Sequence, residues 1–169
     1  RESRMTRAIR RRDARSGACL GSGISPLLAR LYAARGLDRP EQLDQGLARL
    51  LPPEPMRGLD AASERLARAL AGGEKALVVG DYDADGASSS ALALLALRAM
   101  GCRDAEFLVP NRFEHGYGLG PEIVAVAARA APRLIVTVDI GIASHAGVAA
   151  AAAQGIDVIV TDHHLPGDT

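Results

Sequence analysis

The second half of the chain alternates short apolar runs with alanine-rich stretches. Four apolar runs predict β-strands, at residues 76–80, 105–109, 133–138 and 157–161. Three alanine-rich stretches between them predict helices, near residues 87–100, 121–130 and 143–153. Strands that are apolar on both faces and joined by helices are typical of a parallel sheet covered on each side. The pattern therefore predicts an α/β fold, a doubly wound parallel sheet with helices on both faces.

The first part of the chain has the pattern of short helices instead. Ser25 and Pro26 are typical of an N-cap and a first helical turn, and Gly36 is a typical helix end. A second helix is predicted to begin at Pro40, and a third to span 59–71, where apolar residues recur at helical spacing. This pattern predicts a small helical lead-in that packs against the α/β domain.

The change of pattern predicts three segments: a basic N-terminal arm at 1–24, the helical lead-in at 25–73, and the α/β domain at 74–169. Seven arginines within the first 15 residues make the arm basic, whereas the formal net charge of the whole chain is +0. Basic runs near a terminus are commonly solvated tails, and contact with nucleic acid is the alternative. The balanced charge excludes general polyanion binding by the chain as a whole.

The two cysteines indicate the compartment. Cys19 and Cys102 have no CxxC spacing, which favours reduced thiols over a disulfide framework or a zinc site. No apolar run approaches the roughly 18 residues of a membrane span, and the N-terminus lacks the apolar core of a secretory signal. The sequence predicts a cytoplasmic protein with no membrane partner.

Polar residues follow each predicted strand, in the stretches DYDADG, NRFEHGYGL, IVTVDIGIAS and VIVTDHHLPGD. Open parallel sheets bind ligands beyond the carboxyl ends of their strands, so all four stretches are expected along one rim. Asp81, Asp83, Asp85 and Asp139 would bring four negative charges to that rim, and two divalent cations would balance them.

The residue types indicate which metal and which reaction. Carboxylates with a neutral imidazole suit Mn²⁺ or Mg²⁺, whereas the absence of thiolates makes Zn²⁺ a poorer fit. The pair His163 and His164 follows an aspartate at a strand end, a context that favours a functional role and that His115 and His145 lack. Two metal ions about 4 Å apart clamp the attacking and leaving oxygens of phosphoryl transfer. The sequence therefore predicts hydrolysis of a phosphoester or phosphoanhydride.

A D-x-D-x-D-G pattern also begins an EF-hand calcium loop. Counted from Asp81, the glycine falls at the correct position, but Leu92 stands where a bidentate glutamate is needed. A strand, not a helix, is predicted before Asp81. These two departures exclude a calcium-sensing loop.

The stretch VPNRFEHGYGLG combines a cation with aromatic residues. Arg112 beside Phe113 and Tyr117 suits single-stranded nucleic acid, because bases stack on aromatic rings and arginine pairs with phosphate. A plain turn that packs both aromatic rings into the core is the alternative. Ser88–Ser90 are predicted to open the next helix, either as caps or beside free amides that attract a phosphate.

Four stretches in this order and spacing closely resemble the motifs of the DHH phosphoesterases: VVGDYDADGASS, LVPNRFEHGYGL, IVTVDIGIASHAG and VIVTDHHLPGD. Within that family, NRFxxGYGL resembles the exonucleases specific for single-stranded DNA. The resemblance extends from Pro26 to Thr169. It implies a Mn²⁺- or Mg²⁺-dependent nuclease that binds two ions, releases nucleotides from a 5′ end of single-stranded DNA, and acts in recombination and repair.

The resemblance also implies roles for individual residues. The expected metal ligands are Asp81, Asp83, Asp85, Asp139 and His163. The expected catalytic residues are His164, Asp83 and Asp85, with His164 contacting the scissile phosphate or assisting the leaving group. The expected substrate-binding residues are Arg112, Phe113, Tyr117 and His164.

Two departures from the family pattern carry expectations of their own. Ile140 stands where the family has the asparagine of a V-D-N-G motif. An apolar side chain thus replaces a polar one beside Asp139, and the polar support of Asp139 is expected to be weakened. Family members continue past the DHH motif with another aspartate ligand, a second lobe and a nucleic-acid-binding domain, so this DHH-type domain is expected to be truncated at its C-terminus. The alternatives are a DHH enzyme acting on pyrophosphate, oligoribonucleotides or cyclic dinucleotides, and a non-catalytic module that binds metal or a partner.

Overall fold

The computed structural model describes residues 20–167 of the chain. Contacts divide the chain into two compact units, Arg1–Pro55 and Met56–Thr169. Residues 1–19, which carry most of the predicted basic arm and Cys19, lie outside the described residues. Between residues 20 and 167, no helix is both long and apolar enough to cross a membrane.

The described part of the first unit contains one α-helix and two short 3₁₀ helices. Helix α1 spans Pro26–Ala33, and the Ser25 hydroxyl accepts a hydrogen bond from Leu28 N at 3.3 Å, which confirms the predicted N-cap. The helix predicted from Pro40 is a 3₁₀ turn over Pro40–Leu43, and a second such turn follows at Leu47–Arg49.

The second unit contains a four-stranded sheet in which every pairing is parallel. The strands are β1 (Ala76–Gly80), β2 (Ala105–Leu108), β3 (Leu134–Val138) and β4 (Asp157–Thr161), in the order β2-β1-β3-β4. The register pairs Gly80 with Val138 and Val138 with Thr161, so β1, β3 and β4 end side by side. The predicted doubly wound parallel sheet is confirmed.

Helices cover both faces of this sheet. The helices are α2 (Leu59–Gly72), α3 (Ala84–Ala99), α4 (Arg112–His115), α5 (Pro121–Ala127) and α6 (His145–Ala152), and a 3₁₀ turn over Ala128–Ala130 follows α5. On one face, Leu77 and Val79 of β1 pack with buried residues of α5 and α6. On the other face, Val78 packs with Leu94 and Leu97 of α3. The central strands β1 and β3 are largely buried, as expected for apolar runs, whereas the edge strands β2 and β4 are more exposed.

Helix α2, which the sequence assigns to the helical lead-in at 25–73, lies in the second compact unit and packs against the α/β domain. Leu66 and Leu70 pack against the core cluster on the α3 face. Arg65 on the same helix bonds Glu74 and Asp157 through Nη2 and Nε, each at 2.6 Å, while only 14% of its side chain is exposed. Apolar packing and this two-carboxylate clamp explain why the division between the units falls after Pro55.

We expect Arg65→Met to lower the free energy of unfolding by about 2 kcal/mol, because two carboxylates lose a largely buried partner. Arg68→Met on the same helix is the matched control, since Arg68 makes only an exposed contact of 4.0 Å with Glu64. Urea denaturation of the two variants measures the difference. Equal midpoints would contradict a stabilising role for the Arg65 clamp.

Candidate metal centre

Carboxylates and imidazoles converge where β1, β3 and β4 end. Asp81, Asp83 and Asp139 form one group, the acid cluster, and Asp139, His163 and His164 form a second, the histidine cluster. Within each cluster the potential ligand atoms all lie within 4.8 Å of one another. Asp139 belongs to both clusters. Neighbouring parallel strands therefore bring together residues that are far apart in the sequence, as expected for strand ends on one rim.

The acid cluster is shaped by the turn from β1 into α3. Asp83 is the N-cap of α3, and its Oδ1 accepts a hydrogen bond from Gly86 N at 2.9 Å. This hydrogen bond is the main cause that lowers the pKa of Asp83 below its usual value. Gly86 permits the tight turn, because a Cβ there would lie 2.3 Å from the backbone oxygen of Asp81.

Helix α3 begins at Ala84, inside the DYDADG stretch, and not near residue 87 as predicted. The Asp83 cap provides the physical reason, since it satisfies an amide in the first turn. The expectation that Ser88–Ser90 open this helix is wrong. Ser90 is instead buried, with 5% of its surface exposed.

Asp139 follows β3 in a left-handed conformation, with φ of 60°. Its side chain is only 5% exposed, and its Oδ1 lies 2.8 Å from His163 Nε2. That approach is close but not an aligned hydrogen bond, since Oδ1 accepts none from the described residues. A buried carboxylate oxygen that needs a positive partner fits a cation site.

Ile140, next to Asp139, is buried with 2% exposure in the core cluster that includes Leu119 and Ile123. Its side chain thus contributes to the core. The Asp139 backbone is held by its own N–H, which donates to Thr161 O at 3.1 Å. The weakened polar support expected for the Asp139 side chain stays a prediction, since its Oδ1 accepts no hydrogen bond from the described residues.

Asp162 orients the second histidine. One oxygen of Asp162 accepts from Ile142 N at 2.9 Å, and the other accepts from His164 N at 3.0 Å and lies 2.7 Å from His164 Nδ1. Burial raises the pKa of Asp162, but these hydrogen bonds outweigh burial, so the net pKa is lowered. The hydrogen bond that the protonated imidazole donates to the Asp162 carboxylate in turn raises the pKa of His164.

The raised pKa of His164 predicts a pH-dependent stability of the metal-free chain. The charged imidazole stabilises the fold fully below the unfolded pKa of about 6.5, and the contribution is lost as pH rises through the higher folded pKa. With a chelator present, we expect His164→Gln to be less stable than the wild type at pH 6, and the difference to shrink at pH 9. Thermal melting at both pH values measures the difference, with His115→Gln as the control. A difference that widens at pH 9 would contradict the assignment.

The loop after β2 brings a cation and an aromatic ring to the acid cluster. Arg112 Nη2 lies 2.6 Å from Asp81 Oδ2, and this contact is the main cause that raises the pKa of Arg112. The Tyr117 hydroxyl lies 3.3 Å from His164 Nδ1 and donates to the backbone oxygen of Asp139 at 3.5 Å. Burial, followed by the charge of nearby aspartates, raises the pKa of Tyr117.

Phe113 and Tyr117 are not core residues. Phe113 is 97% exposed and Tyr117 is 54% exposed, so the alternative of a plain turn that buries both rings is wrong. Tyr117 contacts His164, whereas Phe113 stands on the surface of the short helix α4.

The structure separates Asp85 from the other carboxylates. Asp85 is exposed on the first turn of α3 and contributes no atom to either cluster among residues 20–167. It lines, with Asp139 and His163, a groove of about 550 Å³ between α3 and the ends of β3 and β4. Asp162 and Tyr82 received no role from the sequence. Their positions inside the DHH and DYDADG stretches were the only available signal.

The family model described as "DHH family, N-terminal domain" matches residues 75–169, more than half of the chain. This chain belongs to the DHH family. The DHH chain is 53% identical over 163 residues to the single-stranded-DNA-specific exonuclease RecJ of Salmonella typhimurium, a match that covers 96% of this chain and 28% of the relative. It is 52% identical over 161 residues to RecJ of Escherichia coli, covering 95% and 28%. The DHH chain thus spans just over a quarter of the length of these relatives.

Solved structures that resemble the DHH chain include two RecJ exonucleases. A crystal structure of exonuclease RecJ bound to manganese aligns with a TM-score of 0.64 at 42% identity, covering 71% of this chain and 31% of that one. RecJ of Thermus thermophilus in complex with Mn²⁺ aligns with a TM-score of 0.61 at 37% identity, covering 90% and 21%.

Proposed function

We propose that this DHH chain is part of a single-stranded-DNA-specific exonuclease that hydrolyses phosphodiester bonds from the 5′ end. The observation that carries the proposal is the convergence of the acid and histidine clusters on the shared Asp139, in a chain about half identical to RecJ exonucleases. A role in DNA recombination and repair, and a location in the cytoplasm, belong to the same proposal. The free, buried thiol of Cys102 supports a reducing compartment.

The donor set fits two divalent cations, Mn²⁺ or Mg²⁺. The buried Asp139 Oδ1, which accepts no aligned hydrogen bond from the described residues, calls for a positive partner. The residues of the two clusters that would hold the ions are Asp81, Asp83, Asp139 and His163. Asp85 lies outside both clusters and stays a ligand predicted from the family resemblance alone. Mixed carboxylate and imidazole ligands favour Mn²⁺ over a purely oxygen-preferring ion. When bound, the ions would polarise the phosphate and lower the pKa of a bound water.

His164 and its partners would handle the proton and the leaving group. Asp162 holds the imidazole in place at 2.7 Å and raises its pKa, so a larger fraction of His164 is protonated near neutral pH. A protonated imidazole can donate to a phosphate oxygen or to the leaving oxygen. The Tyr117 hydroxyl, 3.3 Å from the same ring, helps to fix its orientation.

Exposed aromatic rings beside the centre support a single-stranded substrate. Bases stack on aromatic rings only when they are unpaired, and Phe113 and Tyr117 offer exposed rings on the loop after β2. Arg112 supplies a guanidinium group beside them that can pair with a phosphate. A paired, stacked strand would have to be opened before it could reach these residues.

The test uses the full-length protein with a 5′-labelled single strand, a 3′-labelled single strand and a blunt duplex, each with Mn²⁺ or with a chelator. We expect Mn²⁺-dependent release of nucleotides from the 5′ end of the single strand and little cleavage of the duplex. Equal rates on single strand and blunt duplex would contradict the proposal. So would hydrolysis of pyrophosphate or cyclic dinucleotides without cleavage of DNA.

A further inference from the structure

Tyr82 contacts the guanidinium group of Arg112. The Arg112 Cζ atom lies over the Tyr82 ring at 4.2 Å from its centroid and over the Tyr117 ring at 5.1 Å. Both distances are within the roughly 6 Å over which a cation is attracted to the face of an aromatic ring. Tyr82 itself is 51% exposed, so its ring is not needed to fill the core.

Asp81 makes a third contact with the same guanidinium group. Its Oδ2 lies 2.6 Å from Arg112 Nη2, while its Oδ1 accepts a hydrogen bond from the backbone N–H of Tyr82 at 2.8 Å. Asp81 thereby links the backbone of Tyr82 to the cation that the Tyr82 ring contacts. These contacts join two separate loops, since Asp81 and Tyr82 follow β1 and Arg112 follows β2.

We propose that Tyr82 is a positioning residue that, with Asp81, holds Arg112 in a fixed orientation toward the strand that the metal centre cleaves. This inference rests on the proposed function. A free arginine side chain loses rotamer entropy when it binds, and a guanidinium group already held by two rings and a carboxylate loses much less. The Arg112 side chain is 38% exposed and donates to Asp81 through Nη2, while its Nε is buried and donates to no partner among residues 20–167. The exposed part of the guanidinium group therefore keeps donors that a phosphate can accept.

The first measurement does not depend on activity. Nitrogen-15 relaxation of the Arg112 Nε–Hε group in this chain reports whether the guanidinium group is held. We expect a rigid group in the wild type, an order parameter that falls below about 0.6 in Tyr82→Leu, and a value close to the wild type in Tyr82→Phe, which keeps the ring. Tyr32→Leu removes a tyrosine from α1 in the first unit and serves as the control.

The second measurement uses the full-length protein and a labelled single strand. We expect Tyr82→Leu to raise KM roughly fivefold to tenfold with little change in kcat, and Tyr82→Phe to restore KM. An unchanged Arg112 order parameter in Tyr82→Leu, or equal impairment of the Phe and Leu variants, would overturn the inference. A wild type that does not cleave single-stranded DNA would overturn the proposed function instead, while the relaxation data would still decide the placement of Arg112.

Discussion

Asp139→Asn should abolish Mn²⁺ binding by this chain, because Asp139 is the one residue shared by the acid and histidine clusters. Asparagine preserves the size of the side chain and tolerates the left-handed backbone at φ of 60°, so the variant removes the charge without straining the fold. Loss of a residue that only supports a metal ligand costs about 10–100-fold in activity. Because Asp139 would hold the ions directly, we expect a larger loss of activity in the full-length protein.

Melting temperature measures the binding step. At a Mn²⁺ concentration 100 times the Kd, binding stabilises the wild type by about 2.7 kcal/mol, or roughly 5–10 °C in Tm for a chain of this size. We expect no Mn²⁺-dependent rise in Asp139→Asn. Asp104→Asn is the control, because Asp104 lies at the amino end of β2, where it makes a contact of 3.7 Å with Lys75, and not at the carboxyl ends of the strands. The same rise in Asp139→Asn and the wild type would show that the two clusters do not hold the ion.

Gly147→Ala should destabilise the second unit by about 3 kcal/mol, although alanine is the better helix former. Gly147 lies in α6, and a Cβ there would lie 1.8 Å from Leu119 O and 2.7 Å from Leu119 C. Both clashing atoms belong to the backbone, so no side-chain movement relieves the overlap. The backbone of Leu119 cannot easily move away from α6, because Leu119 N donates a hydrogen bond to the Ser144 hydroxyl at 3.0 Å.

Gly72→Ala is the matched control for this prediction. Gly72 also lies in a helix, but a Cβ there would make only an ordinary contact of 3.6 Å with the Glu74 side chain. We expect this variant to be as stable as the wild type or more stable, by up to about 1 kcal/mol. Urea denaturation of both variants measures the two effects. A stable Gly147→Ala protein would mean that the loop carrying Tyr117 is not packed against α6.

Much of the fold could be predicted because each level of the sequence pattern points to the same structure. The apolar run at 76–80 matches β1 residue by residue, and the helix predicted over 59–71 is observed over Leu59–Gly72. The predicted start of a helix was wrong where a side-chain hydrogen bond, and not the hydrophobic pattern, sets the first turn. Asp83 caps α3 and starts it at Ala84, a local hydrogen bond that the alanine-rich pattern does not reveal.

Convergence of the candidate site could also be predicted, but the partners of individual side chains could not. Three evenly spaced aspartates in DYDADG look equivalent in the sequence. In the structure Asp81 pairs with Arg112, Asp83 caps a helix, and Asp85 faces a groove outside both clusters. The difference arises because the chain changes from strand to helix within the motif, which sends the three side chains in different directions.

The alternation of strand and helix along the chain was enough to predict the parallel sheet and the rim on which the polar stretches meet, because this alternation admits few topologies. The folded structure was needed to show that Asp139 is shared by two clusters and that Tyr82 and Tyr117 both contact Arg112. It also decided that Gly147 in α6 must remain without a side chain. These features depend on distances between elements remote in sequence, which packing and register set and local patterns do not encode.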